Sequence, residues 1–335
     1  MKFVHSINKS LEKMLKDHDE VILYGEDLLD PYGGAFKVTK GLSTKFPDRV
    51  LSTPISEAAI IGMAGGMAIG GLLPIVEIMF GDFIMLGADQ LLNHLVKYEW
   101  VYNNKVKVPV TIRATMGGRR SYGPTHSQSL EPILASIPGL KIISPTYYHN
   151  PGKLLEYTTL SESSIKVFCE YKMNYPKELV NQSNCREGIS VNYSKGKYPI
   201  VYLSNSEFDD PEILFISHGG NCILVEEILI ELLMENEISA QANFPSLIKP
   251  LLKHAEIFFG VEKCKAIIII EESPKSFSWG SEIVSLLVEN NLIRNKKVFR
   301  IGMDEHPIPS SALLEKKALP SVQGVINKIK DKIKV

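Results

Sequence analysis

Thr53-Pro54-Ile55-Ser56-Glu57 leads into Ala58-Ala59-Ile60-Ile61-Gly62-Met63-Ala64-Gly65-Gly66-Met67-Ala68-Ile69-Gly70-Gly71-Leu72-Leu73-Pro74-Ile75-Val76, and Glu77-Ile78 follows. No charged residue lies between Glu57 and Glu77, and the run is nearly long enough to span a bilayer as a helix. Its five glycines and Pro74 predict something else: a helix packed closely on another backbone, then a turn and a buried strand. Nothing else in the chain repeats the apolar pattern, so the stretch reads as part of a folded core.

Working outward, helical periods alternate with short apolar runs. Val4, Ile7, Leu11, Met14 and Leu15 have helical spacing and precede the strand candidate Val21-Ile22-Leu23-Tyr24. Further strands are predicted at 49–51, 74–78, 108–113, 141–143 and 166–168, with helices over 87–102 and 152–160. This alternation predicts an α/β fold with a parallel sheet covered on both faces. Ligands of such folds gather at the carboxyl ends of the strands. From Cys185 to Asp210 the pattern turns polar and loses its period, which predicts a linker. A smaller α/β pattern then resumes, with strands at 213–217, 266–272 and 298–301, a helix marked by Ile223 to Leu232, and a closing helix marked by Val322 to Ile329. The expected domains are therefore 1–185 and 211–335, joined by 186–210.

The chain of 335 residues has 44% hydrophobic and 22% charged residues, which excludes wholesale disorder. Its 37 basic and 38 acidic side chains leave a net charge of -1, with no cationic excess for nucleic acid. Cys169, Cys185, Cys222 and Cys264 are far apart, form no C-x-x-C pair, and point to reduced thiols in a cytoplasmic protein. Polar residues interrupt the apolar ones at the start of the sequence, so no signal-peptide core is expected.

The common catalytic strings for phosphate loops, zinc proteases, nucleophile elbows and dinucleotide loops are missing. Ser56-Glu57 after Pro54 reads most simply as an N-cap serine with a carboxylate in the first helical turn. Gly123-Pro124-Thr125-His126-Ser127-Gln128-Ser129 sets a histidine in a polar loop, and such a residue is usually just solvated.

Taken together with their surroundings, these stretches resemble a known family. Gly25-Glu26-Asp27, the run from Gly33 to Leu42, Thr53 to Glu57, Pro74 to Ile78, Asp89-Gln90, His126 to Ser129 and Pro138 to Lys141 are similar to the beta subunits of thiamine-diphosphate-dependent 2-oxo acid dehydrogenases. The likeness continues through Ile270-Glu271-Glu272, Trp279 to Ile283 and Pro307-Ile308-Pro309. It implies a transketolase-like pyrimidine-binding domain followed by a smaller transketolase-type C-terminal domain. It also implies an oxidoreductase that decarboxylates a 2-oxo acid and passes the acyl group to a lipoyl acyltransferase component. By this resemblance Glu57 hydrogen-bonds the aminopyrimidine ring of thiamine diphosphate and shares a proton with it. Ile55, Met79 and Phe83 pack around that ring, and His126 assists protonation or acyl transfer. The family binds the diphosphate through Mg2+ with a Gly-Asp-Gly motif, which this sequence lacks. The resemblance thus implies an alpha subunit that holds the metal, in an assembly of two alpha and two beta chains, and no metal ligand in this chain.

The sequence departs from its relatives at Arg119-Arg120-Ser121-Tyr122, at Asn150-Pro151 in place of Asp-Ala, and at Ser161-Glu162-Ser163-Ser164 near a potassium site that is not carried over. The two arginines suggest recognition of an acidic substrate or docking of an acidic lipoyl domain, against the simpler expectation of solvated side chains. A transketolase half, an acyloin-forming carboligase and a non-catalytic subunit are the competing readings.

Overall fold

The computed structural model describes residues 1–205, 210–251 and 254–333. The chain runs α1 (Phe3–Asp17), β1 (Val21–Gly25), α2 (Leu42–Lys45), β2 (Val50–Ser52), α3 (Glu57–Ile69), β3 (Leu73–Ile78), α4 (Val96–Val101), β4 (Thr111–Met116), α5 (Glu131–Ala135), β5 (Lys141–Ile143), α6 (Pro151–Leu160) and β6 (Lys166–Tyr171). It continues β7 (Ser190–Tyr193), β8 (Ile200–Ser204), β9 (Ile213–Ile216), α7 (Cys222–Asn236), β10 (Ala240–Pro245), β11 (Leu247–Lys249), α8 (His254–Ile257), β12 (Ala266–Pro274), α9 (Trp279–Glu289), β13 (Lys297–Met303), α10 (Ala312–Ala318) and α11 (Val322–Ile333). Two compact units result. The first comprises Met1–Met116, Ile133–Ile143 and Asn150–Leu179, and the second Gly117–Pro132, Ser144–His149 and Val180–Val335.

In the first unit the strands lie in the order β5-β6-β4-β3-β1-β2, every pair parallel. All six residues of β4 and of β6 are buried, as expected of central strands covered on both faces. α1 turns Phe3, Ile7, Leu11, Met14 and Leu15 inward at helical spacing, each contributing roughly 1.5–3 kcal/mol of apolar burial. It meets α6 at Gly152, where a Cβ would come within 2.3 Å of the Ser6 carbonyl oxygen. Asn150 is a working cap for α6: its Oδ1 accepts the Lys153 N–H at 3.0 Å, with Pro151 in the first turn.

The glycine-rich run is the expected helix, turn and buried strand, and among the described residues no helix is long and apolar enough to cross a membrane. The helix expected over 87–102 is instead broken into a 3-10 turn (81–87), a π-helical stretch (90–95) and α4. These pieces lie on the glycine face of α3. A Cβ at Gly62 would come 3.0 Å from the Gln90 side chain, and one at Gly65 would come 3.2 Å from Leu95. β4 begins three residues later than expected because Pro109 has no N–H to give a ladder, and pairing with β6 starts at Thr111.

The second unit holds a six-stranded sheet, β13-β12-β9-β10-β8-β7. Its first four strands are parallel, while β8 and β7 add antiparallel at one edge. These two edge strands occupy the stretch expected to be a linker, so 190–204 is folded sheet. Residues 206–209 of that expected linker lie outside the described residues, as do 252–253 and 334–335 of the expected second domain. A single cut near 185 also misses the two earlier segments, 117–132 and 144–149, that pack with the second unit.

Two histidines of the second unit are buried uncharged. His149 Nδ1 accepts the Thr146 backbone N–H at 3.0 Å, which leaves its proton on Nε2, 3.2 Å from the Pro199 carbonyl oxygen. Burial pushes its pKa down to about 4. His218, 3.0 Å from the Ser144 hydroxyl and edge-on to Trp279, is pushed down to about 3 by burial. Unfolding returns both to the ordinary value near 6.5, so between there and about 4 the unfolded chain binds more protons than the folded one. Stability present above pH 6.5 is therefore lost as the pH falls through that window. Urea midpoints between pH 7 and 4 should fall, and fall less in His218→Gln; identical slopes for the variant and the parent would contradict this.

Candidate active site

In the sheet of the first unit, Gly25 at the end of β1 lies level with Ser52 at the end of β2 and with Glu77 on β3. Three loops therefore leave neighbouring parallel strands at one edge: Glu26-Asp27, Thr53 to Ser56, and Met79 to Phe83. Gly25 is required there, because a Cβ would sit 2.4 Å from the Glu77 carbonyl oxygen.

Glu57 is the first residue of α3 and is 5% exposed. The expected serine cap is absent: Ser56 occupies the N-cap position but its side chain makes no capping bond. Its backbone (φ -164°, ψ 89°) is extended, and Glu57 is the acidic residue that complements the first turn. Glu26 is also buried, and burial raises its carboxyl pKa, with the negative charges of Glu57 and then Asp27 adding to the rise. Its Oε1 is buried without a hydrogen-bond partner. A buried orphan oxygen is costly, and it marks a place for a donor.

The turn carrying Phe83 lies against the start of α3, where a Cβ on Gly87 would come 3.2 Å from the Glu57 carbonyl oxygen. Phe83 stacks edge-on with Phe80 at 5.9 Å between centroids, and Phe80 likewise with Phe36 at 5.7 Å. The Met79 carbonyl accepts the Thr115 hydroxyl at 2.7 Å. The structure thus gathers Glu57, Met79 and Phe83 around one edge of the sheet, whereas the Ile55 side chain is 84% exposed.

Sequence reasoning missed the charge network in the same sheet. Arg113, 1% exposed, donates from Nη1 to Glu77 Oε2 at 2.6 Å, and from Nε and Nη2 to the two Glu170 oxygens at 2.7 and 2.9 Å. Tyr175 adds its hydroxyl to Glu170 at 2.8 Å. Burial works against the Arg113 charge, but the two carboxylates more than offset it and raise its pKa. Burial also raises Glu77, opposed by Arg113. The available signal was a charged residue in the middle of each central apolar run.

His126 belongs to the second unit. It is half-buried, with Nδ1 2.9 Å from the Thr125 hydroxyl. Arg119, expected to be solvated, to bind an acidic substrate or to dock a lipoyl domain, is held by partners within the second unit. Its Nη2 donates to the Pro320 carbonyl at 2.8 Å, and its Nε lies 3.6 Å from Glu272. Arg120 is exposed, over the Tyr122 ring at 5.7 Å.

Residues 1–178 match the transketolase pyrimidine-binding domain. Over 96% of its length the chain is 31% identical to the beta subunit of acetoin:2,6-dichlorophenolindophenol oxidoreductase from Bacillus subtilis, covering 94% of that protein. The chain belongs to the transketolase-like beta subunits of the 2-oxo acid dehydrogenases. Other members of this beta-subunit family include the pyruvate dehydrogenase E1 component subunit beta-1 of Oryza sativa, 29% identical over 97% of this chain and 84% of that one. The Rickettsia bellii pyruvate dehydrogenase E1 beta subunit is 29% identical, over 95% of this chain and 94% of that one. The beta-subunit fold also matches a solved split-gene transketolase, described as an inactive beta4 tetramer, with a TM-score of 0.73, 16% identity and coverage of 100% and 99%.

Proposed function

We propose that this beta subunit forms half of a two-chain enzyme that decarboxylates a 2-oxo acid with thiamine diphosphate and passes the acyl group to a lipoyl acyltransferase. The observation that carries the reading is Glu57: a buried carboxyl opening α3, beside a second buried carboxyl whose Oε1 has no partner. That donor set fits an aminopyrimidine, which offers both N–H groups and a basic ring nitrogen. Glu57 would hold the ring and move a proton between its carboxyl and the ring nitrogen. Met79 and Phe83 supply apolar surface for the ring, and Ile55 completes it from the loop. When bound, thiamine diphosphate supplies the acidic carbon and the electron sink that decarboxylation needs. Burial raises the Glu26 carboxyl pKa, and the charge of Glu57 adds to the rise, so the two carboxyls are coupled at this end of the sheet. His126 holds or delivers a proton during transfer to the acceptor.

Because this sequence has no Gly-Asp-Gly, the Mg2+ and diphosphate contacts are assigned to an alpha subunit, with two alpha and two beta chains in the assembly. α3 supports a partner, since Ala58, Ala59, Met63, Gly66 and Ile69 form exposed apolar surface on it. Free thiols at Cys169, Cys222 and Cys264, all buried, suit a cytoplasmic setting.

A second reading has specific support. The Bacillus subtilis and Cupriavidus necator relatives are named for acetoin, an acyloin, rather than for a 2-oxo acid. The deciding experiment is co-expression with an alpha chain carrying Gly-Asp-Gly, followed by dye-reduction assays on 2-oxo acids and on acyloins. The 2-oxo acid reading expects carbon dioxide release from the former, and activity on acyloins alone would replace it with the second. Calorimetry on the beta subunit by itself should show negligible thiamine diphosphate binding. Micromolar binding without a partner would overturn the proposed division of the cofactor site.

A further inference from the structure

The loop that carries His126 is held from outside by two carboxylates. Gly118 donates its backbone N–H to Glu272 Oε1 at 3.1 Å. Arg119 donates its backbone N–H to Glu315 Oε1 at 2.8 Å, and Ser121 donates its own to Glu315 Oε2 at 2.9 Å. Both oxygens of Glu315 are thus spent on the loop, from a side chain 3% exposed on α10. Arg119 and Ser121 have φ of 68° and 57°, in the left-handed region that L-residues avoid, so this limb does not take its shape from local preference. Gly118 leaves no room for adjustment, since a Cβ there would lie 3.0 Å from Glu315 Oε1 and 3.3 Å from Glu272 Oε1.

The rest of the loop is built on this limb. The Gly117 N–H donates to the Gln128 carbonyl at 3.2 Å and closes the loop at its base. Gly123, at φ 81°, turns so close to Ser310 that a Cβ would come 2.5 Å from its hydroxyl oxygen. The His126 N–H then donates back to the Gly123 carbonyl at 3.3 Å. The imidazole therefore sits on a closed loop whose strained side is pinned by Glu315.

We infer that Glu315 is a positioning residue for His126, fixing the backbone of the 117–128 loop in the one conformation that presents the imidazole for acyl transfer. The inference rests on the role proposed for His126. A carboxylate is needed because two oxygens must each accept an N–H; an amide of the same shape turns an NH2 group toward one of the two donors and releases that side.

The test uses the assembled two-chain enzyme with Glu315→Gln, His126→Gln and the double variant. Acyl transfer should slow about tenfold or more in Glu315→Gln, while the KM for the 2-oxo acid stays within about twofold. In the His126→Gln background the same change should add less than about twofold, because the two residues act as a unit. Hydrogen exchange of the 117–128 segment should rise about tenfold in Glu315→Gln, with the core strands unchanged. Full multiplication of the two single effects would overturn the inference, and so would unchanged exchange in the loop. A parental rate for His126→Gln would overturn the role given to His126, and the exchange result separates that failure from failure of the anchor. If Glu315→Gln does not fold, Glu315→Asp, which keeps the charge but withdraws both oxygens from the loop by one methylene, is read in the same way.

Discussion

Glu57→Gln should lower turnover of the assembled enzyme by about 10²–10⁴-fold, the usual worth of a positioned proton-transfer group. The amide keeps the length and most of the shape of Glu57 at the start of α3 but cannot exchange a proton with a ring nitrogen. The loss belongs in kcat and in the exchange rate of the cofactor's thiazolium C–H proton, with little change in cofactor affinity. Exchange measured by quenched-flow NMR separates this from a folding defect. An unchanged exchange rate in Glu57→Gln would remove Glu57 from its assigned role. Glu26→Gln is the informative neighbour. It withdraws one of two adjacent buried carboxyls whose charges disfavour each other, so the effect on the same rate should be smaller.

The largest expected stability effect is at Arg113. Its guanidinium bridges Glu77 and Glu170 with three hydrogen bonds of 2.6–2.9 Å and is almost completely shielded from water. Arg113→Met leaves both carboxylates buried and uncompensated, which costs about 3–5 kcal/mol. Equilibrium urea unfolding of the chain should show the loss in the transition of the first unit. The direction reverses on adding Glu77→Gln and Glu170→Gln, since the penalty comes from the charges left behind rather than from the missing bonds. A change under about 1 kcal/mol in Arg113→Met would mean that water or a proton neutralises the pair at low cost. Glu77 has a second duty, because Gly34 passes over it so closely that a Cβ would meet its Oε1 at 2.6 Å. Any enlargement of Glu77 or Gly34 therefore disturbs the loop before α2 as well.

The sequence was most legible where one physical signal dominated. Val21 to Tyr24, Pro74 to Ile78 and Lys141 to Ile143 are apolar runs with turn residues at their ends, and each is a strand of the parallel sheet. Gly62 and Gly65 of α3 were legible as packing residues because a glycine-rich helix suits close approach of a neighbour. β7 and β8 were missed because an edge hairpin buries one face only; Val191, Ile200, Val201 and Leu203 are buried there among polar neighbours that composition alone reads as a linker. β10 was missed for a related reason. Gln241 and Asn243 are buried in it, with Gln241 Nε2 donating to Asn243 Oδ1 and the Asn243 amide to the Ile257 and Phe259 carbonyls, so its polar letters conceal a core strand. At the candidate site, Glu57 and His126 came from resemblance rather than from periodicity. Arg119 was read by its charge, although its partners, Glu272 and Pro320, lie more than 150 residues away in sequence.

That separation has a consequence for synthesis. Ser121 and the Glu315 oxygen that binds its N–H are 194 residues apart. At about 5–20 residues per second, the ribosome needs on the order of 10–40 s to deliver the second after the first. A nascent chain that has already completed the β1-to-β6 sheet still carries 117–128 without the acceptors that determine its shape. A chain truncated near 180 should therefore keep Glu57, Met79 and Phe83 but lack the Glu272 and Glu315 carboxylates that hold the 117–128 loop. The histidine loop should be among the last parts of the polypeptide to become native, however early its residues are made.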